Sequence, residues 1–164
     1  MNNNFLLYIC IPARHYSHCA GNKQIVVMEE YLYKHKMSVR DYELDFQGVV
    51  NNSNYQHYLE HARHEFLKTR GGSMSALHDA GVDPMVSKIT IEYKTPLRGG
   101  DEFIVGVNMV REGAKLVFLQ DIHNLANDRL VVKARVEVIC LKDGRLTRGE
   151  MFDEVFKDFF NNNK

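Results

Sequence analysis

Between Tyr55 and Leu67 the apolar residues Tyr55, Tyr58, Leu59, Ala62, Phe66 and Leu67 recur at steps of three and four, so they share one face of a helix. Gly71-Gly72 supplies its stop, since a helix end often needs a residue with positive φ. Ser73 to Ala80 adds a short helical turn before Gly81 and Pro84. Downstream the period changes to two. Ile89, Ile91 and Tyr93 alternate with Lys88, Thr90, Glu92 and Lys94, and Pro96 and Gly99-Gly100 close that strand. Phe103, Val105, Val107 and Met109 mark a second strand, and Arg111-Glu112-Gly113 turns into a third, Leu116 to His123. Asn127-Asp128 leads to a fourth, where Leu130, Val132, Ala134, Val136 and Val138 oppose Lys133, Arg135 and Glu137. Alternation with short turns predicts an antiparallel sheet with one face covered. With a short strand over Lys36-Met37-Ser38-Val39-Arg40, the count is five strands and one long helix, an α+β architecture in which the helix packs on a curved sheet.

The two ends read differently. Residues 1–34 are Asn-rich and then irregular, and are expected to be an N-terminal extension. Met28 is an alternative start, which would make residues 1–27 a start-site artefact. The apolar run Phe5 to Ile11 is too short to span a bilayer and lacks the basic flank and cleavage site of a signal peptide. Residues 35–145 form the main domain. Residues 146–164 hold a C-terminal amphipathic helix, with Met151, Phe152, Val155, Phe156, Phe159 and Phe160 on one stripe that suits packing or subunit contact.

With 164 residues the chain is long enough for one domain with a real core. Lysine plus arginine number 21 and so do aspartate plus glutamate, so no basic excess points to nucleic acid or a membrane surface. Cys10, Cys19 and Cys140 are an odd set without metal-ligand spacing and read as reduced thiols of a cytoplasmic protein.

The chemistry concentrates in Glu43-Leu44-Asp45-Phe46-Gln47-Gly48-Val49-Val50-Asn51-Asn52-Ser53-Asn54-Tyr55. The acid Asp45, a glycine-containing turn and a helix start fall within a few residues. That combination holds a carboxylate near free backbone N–H groups, which favour developing negative charge. Asn51 is a good N-cap; Ser53 with Gln56 is the alternative cap pair.

The order strand, acid loop, long helix, four antiparallel strands resembles the hotdog fold. Asp45-x-x-Gly48-Val49-Val50-x-x-x-Asn54-Tyr55 resembles the active-site segment of the 4-hydroxybenzoyl-CoA thioesterase family. Glu43-Leu44-Asp45 with Val50-Asn51-Asn52 and Tyr55 is similar to acyl-ACP thioesterases and bacterial acyl-CoA relatives. Glu92-Tyr93-x-x-Pro96-x-x-x-Gly100-Asp101 matches a second family segment, and the likeness covers roughly residues 35–142. The resemblance implies an acyl-CoA or acyl-ACP thioesterase with no metal or redox cofactor, coenzyme A or acyl carrier protein entering only as part of the substrate. It also implies a homodimer or homotetramer with its active sites at the dimer interface. Asp45 would act on the thioester carbonyl as nucleophile or general base, and the Asn52 backbone N–H would bind its oxygen. Relatives place histidine at Val49 or Asn52 and asparagine at Gln47, so a histidine-dependent mechanism does not carry over. Gln47 is left to orient water or the carboxylate.

Around these, Gly48, Val49, Val50, Asn51 and Tyr55 are expected to line the substrate site. Lys94 and Arg98, with Lys88, are the cations nearest to meeting coenzyme A phosphates, against the plainer reading of a polar outer face. His57, His61 and His64 fall opposite the apolar helix face and read as a solvated or subunit-facing stripe, with no metal expected. Two other functions compete: a non-catalytic acyl-thioester-binding module, and a hydroxyacyl-thioester dehydratase, which the missing histidine beside Asp45 disfavours.

Overall fold

The computed structural model describes residues 31–70 and 74–157. The expectations for residues 1–27, for Cys10 and Cys19, for the Gly71-Gly72 stop and for Phe159 and Phe160 lie outside them.

Five long strands, β1 (Tyr33–Ser38), β2 (Val82–Tyr93), β3 (Glu102–Glu112), β4 (Lys115–Asn124) and β5 (Leu130–Lys142), form one antiparallel sheet in the order β1-β3-β4-β5-β2. A short β6 (Arg145–Leu146) pairs with the end of β5. The long helix α1 (Asn52–Lys68) lies across the inner face of the curled sheet, with its closest backbone approaches to β3 and β1. This is the arrangement that the hotdog resemblance implies. The helices α2 (Met74–Asp79) and α3 (Glu150–Val155) flank it.

The predicted faces are the buried ones over most of the sheet. Phe103, Val105 and Val107 of β3, and Val132 and Val136 of β5, are at most 0 % exposed and meet Tyr58, Leu59, Ala62 and Phe66 of α1 in one core. Removing each such side chain from water contributes about 1.5–3 kcal/mol, which outweighs the helix propensity of a segment rich in histidine and asparagine. Phe152 and Phe156 seal one end, with Phe156 stacked on Phe66 at 5.9 Å between ring centres. His57, His61 and His64 are exposed, as their helical phase predicts.

Three boundaries differ from the sequence reading. Strand β1 takes in Tyr33 and Lys34 and stops at Ser38, while Val39 and Arg40 lead into a 3-10 turn over Asp41–Glu43. Strand β2 begins at Val82, not near Lys88, and passes through Pro84. It can do so because it is an edge strand, where a missing N–H deprives no neighbour, and a bulge between Val86 and Lys88 shifts its register with β5 by one residue. Its inward face is only partly covered: Ile89 and Ile91 are half-buried and Tyr93 is 48 % exposed. The β5–β6 hairpin is an addition to the predicted elements, and Asp143-Gly144, both at positive φ, is the two-residue turn that such hairpins favour.

Candidate active site

The segment from Glu43 to Asn51 is a loop closed at its base by backbone pairing. Leu44 and Val50 form an antiparallel bridge, and Asn51 N–H donates to the Glu43 carbonyl at 2.9 Å. At its tip Asp45 N–H donates to the Val49 carbonyl at 2.8 Å, and Gly48 N–H donates to the Asp45 carbonyl at 3.0 Å. Gly48 sits at φ +71° with open space where a Cβ would stand, so its glycine answers to backbone conformation alone. Asp45 is partly buried, and its Oδ1 accepts the Gln47 N–H at 2.8 Å. This is the self-capping turn expected of an acid in such a loop. It engages one carboxylate oxygen; among the described residues Oδ2 accepts no hydrogen bond.

The start of α1 is next to this loop. Asn51 is the N-cap, its Oδ1 accepting the Ser53 N–H at 3.0 Å and the Ser53 hydroxyl at 2.8 Å. Asn54 N–H donates to the Asn51 carbonyl at 2.9 Å. The N–H of Asn52, the first helical residue, therefore has no acceptor among the described residues. It stands at the positive end of a 17-residue helix.

A cavity of about 180 Å³ opens at the head of α1, walled by Val49, Val50, Asn52, Tyr55, Tyr93 and Lys94 among others. Five of the residues expected at the site thus share one hollow. Asp45, Gln47 and Gly48 occupy the loop whose far limb supplies Val49 and Val50, while Asn51 is engaged in capping. Lys94 is held by Glu92 at 2.6 Å. Arg98 pairs its backbone with Val49 through an isolated bridge and leaves its side chain exposed. Lys88 is six residues back along β2, roughly 20 Å at strand spacing, and does not join the other two cations.

Two buried groups hold the junction. Leu97, fully buried, donates its N–H to the Tyr55 hydroxyl at 3.2 Å and accepts the Val50 N–H at 2.9 Å, which ties the loop and α1 to the segment after β2. Burial holds the Tyr55 phenol above its ordinary pKa, so it stays neutral. The second group was not assigned a role from the sequence. Glu43 is 5 % exposed, and its Oε2 accepts the Tyr58 hydroxyl at 2.6 Å and the Arg40 N–H at 2.7 Å. Its carbonyl also accepts the Asn54 side-chain amide at 2.7 Å. Burial first, then the hydrogen bond to Glu43, pushes the Tyr58 phenol far above its usual value, so Tyr58 is the donor throughout the physiological range.

The family model described as the thioesterase-like superfamily matches residues 39–160. The acyl-acyl carrier protein thioesterase ATL3, chloroplastic, of Arabidopsis thaliana is 37 % identical over 101 residues, covering 61 % of this chain and 53 % of that protein. The chain spans little more than half the length of ATL3 and of its sister ATL2. The acyl-CoA thioester hydrolase YbgC of Escherichia coli is 33 % identical over 115 residues, 70 % of this chain and 85 % of YbgC. Among solved structures, a protein of Aquifex aeolicus superimposes with a TM-score of 0.69 at 31 % identity, over 75 % of this chain and 98 % of that one.

Proposed function

This chain belongs to the thioesterase-like superfamily, and from that membership we propose that it hydrolyses an acyl-CoA or acyl-ACP thioester to a free acid and a thiol. The observation that carries the reading is the unpaired Asn52 N–H at the head of α1, on the same loop-to-helix junction as Asp45. A hydrogen-bond donor placed where the carbonyl oxygen gains charge contributes about 10²–10³ in rate. The Asp45 carboxylate, with Oδ2 open, acts on the thioester carbonyl directly or on a water beside it. Gln47 reinforces it by anchoring Oδ1 through its N–H. Val49, Val50 and Tyr55 form the apolar walls against the acyl group, and Gly48 shapes the approach. Lys94 and Arg98 meet the phosphates of the carrier. The apparatus needs no metal or redox group, because a thioester is already activated. We place the protein in the cytoplasm, since its one described cysteine, Cys140, is a buried free thiol. No helix among the described residues is long and apolar enough to cross a membrane.

Asp45→Asn tests the mechanism. The expected result is a fall in turnover of at least about 10², read as thiol release from a panel of acyl-CoA and acyl-ACP substrates, with the unfolding midpoint unchanged. Near-normal turnover by that variant would reject Asp45 as the acting group.

A further inference from the structure

A second cavity, of about 270 Å³, lies under the later half of α1, where Leu67, Val86, Phe118, Val138 and Phe152 wall it with apolar surface. Arg63 joins that wall. Its guanidinium passes over the Phe118 ring, 5.9 Å from the centroid, and Nη1 donates to Gln120 Oε1 at 2.8 Å. Gln120 is 1 % exposed and fixed at its other end, where Nε2 donates to the Leu59 carbonyl at 3.0 Å. That leaves one neutral acceptor for a group with five N–H donors.

Among the described residues no carboxylate lies within 4 Å of Arg63. Glu60, one turn earlier, lines the rim of the same cavity and attracts Arg63 from farther away, but turns its own carboxylate to His64 at 4.0 Å, half in solvent. Burial lowers the Arg63 pKa to about 10, so the group remains a cation at neutral pH. A partly desolvated cation facing an apolar hollow is costly unless an anion meets it, and the planar fork of arginine matches a carboxylate with two parallel hydrogen bonds. A ligand with a neutral end would need no charge here.

We propose that this cavity binds an apolar acid, with its chain among Leu67, Phe118 and Val138 and its carboxylate on Arg63. This site is separate from the acid loop: eleven residues of α1, about 16 Å, divide Arg63 from Asn52. The same chemistry arises from two sources, a free aliphatic acid or the distal carboxylate of a thioester built on a long diacid.

Calorimetric titration of the full chain with decanoate and with decanol tests the site without requiring turnover, so its result stands apart from the fate of Asp45. The expected outcome is decanoate bound about tenfold more tightly than decanol, with that preference collapsing in Arg63→Met and surviving in part in Arg63→Lys. Retained decanol binding by Arg63→Met shows that the variant is folded, so a loss of folded protein does not imitate this result. Equal binding of acid and alcohol by the unmodified protein overturns the proposal, and so does a preference that Arg63→Met retains. With the preference established, hydrolysis of ω-carboxyacyl-CoA and unsubstituted acyl-CoA separates the sources. A selective fall in kcat/KM for the carboxylated substrate in Arg63→Met identifies the substrate's own terminus. Parallel rates identify the free acid.

Discussion

Glu43 shows how much of the acid loop's geometry rests on one residue that does no chemistry. Its carboxylate receives Tyr58 from α1 and the Arg40 N–H from the turn after β1, while its carbonyl receives Asn51 and Asn54. Hydrogen bonds to a charged group contribute about 1.5–3 kcal/mol each, and a buried partner left unpaired costs a similar amount. Tyr58→Phe is therefore expected to lower the unfolding free energy by about 2 kcal/mol in urea titration. Glu43→Ala should lower it further, because the Tyr58 hydroxyl, the Arg40 N–H and the Arg40 guanidinium then lose their acceptor; a Glu43→Ala protein as stable as the parent would refute the account. Asp45 and Gly48 were legible because their acid-and-glycine pattern is local. Glu43 was not, because its meaning depends on Tyr58, fifteen residues away, and only the folded chain brings the two together.

The elements follow the same rule. Helix α1 and the long stretches of β3, β4 and β5 could be read from periodicity, and the Asn51 cap from residue type. Arg63 is not marked by periodicity, because a helical projection puts it off the apolar face, yet Phe118 and Gln120 of β4 meet its guanidinium. The ends of β1 and β2 were misjudged because edge pairing tolerates Pro84 and because partner strands set where pairing stops. One contact between elements carries a pH dependence. His35 on β1 meets the His61 ring edge-on at 4.9 Å, with Glu65 and Lys68 also on the α1 side and the Tyr33 hydroxyl at its Nδ1. Burial, and then His61, hold the His35 pKa below its ordinary value of about 6.5. The unfolded chain then binds more protons than the folded one just below that value. The stabilisation is present above it and is lost as pH falls through it toward the folded-state pKa. Unfolding free energies measured from pH 7.5 to 5.5 should fall less steeply in His35→Gln than in the parent, and equal slopes would contradict this assignment.

At the scale of the molecule, the sheet is unfinished. Among the described residues, strand β2 pairs with β5 on one side only, and Met85, Val86 and Tyr93 expose about half of their surface. An open edge with apolar side chains favours pairing with a second copy. We expect sedimentation equilibrium to give at least twice the 19.0 kDa of one chain, and a monomer at micromolar concentration would exclude the shared-edge dimer. The helix, meanwhile, makes its closest backbone approaches to β3 and β1, and the inner face of β2 is only partly covered. Substitutions at half-buried Ile89 and Ile91 therefore disturb less packing than changes at Val105 or Val107, which are 0 % exposed. Divergence among descendants of this chain therefore meets less resistance along that strip than within β3, and shape can be retuned there while the fold stays intact.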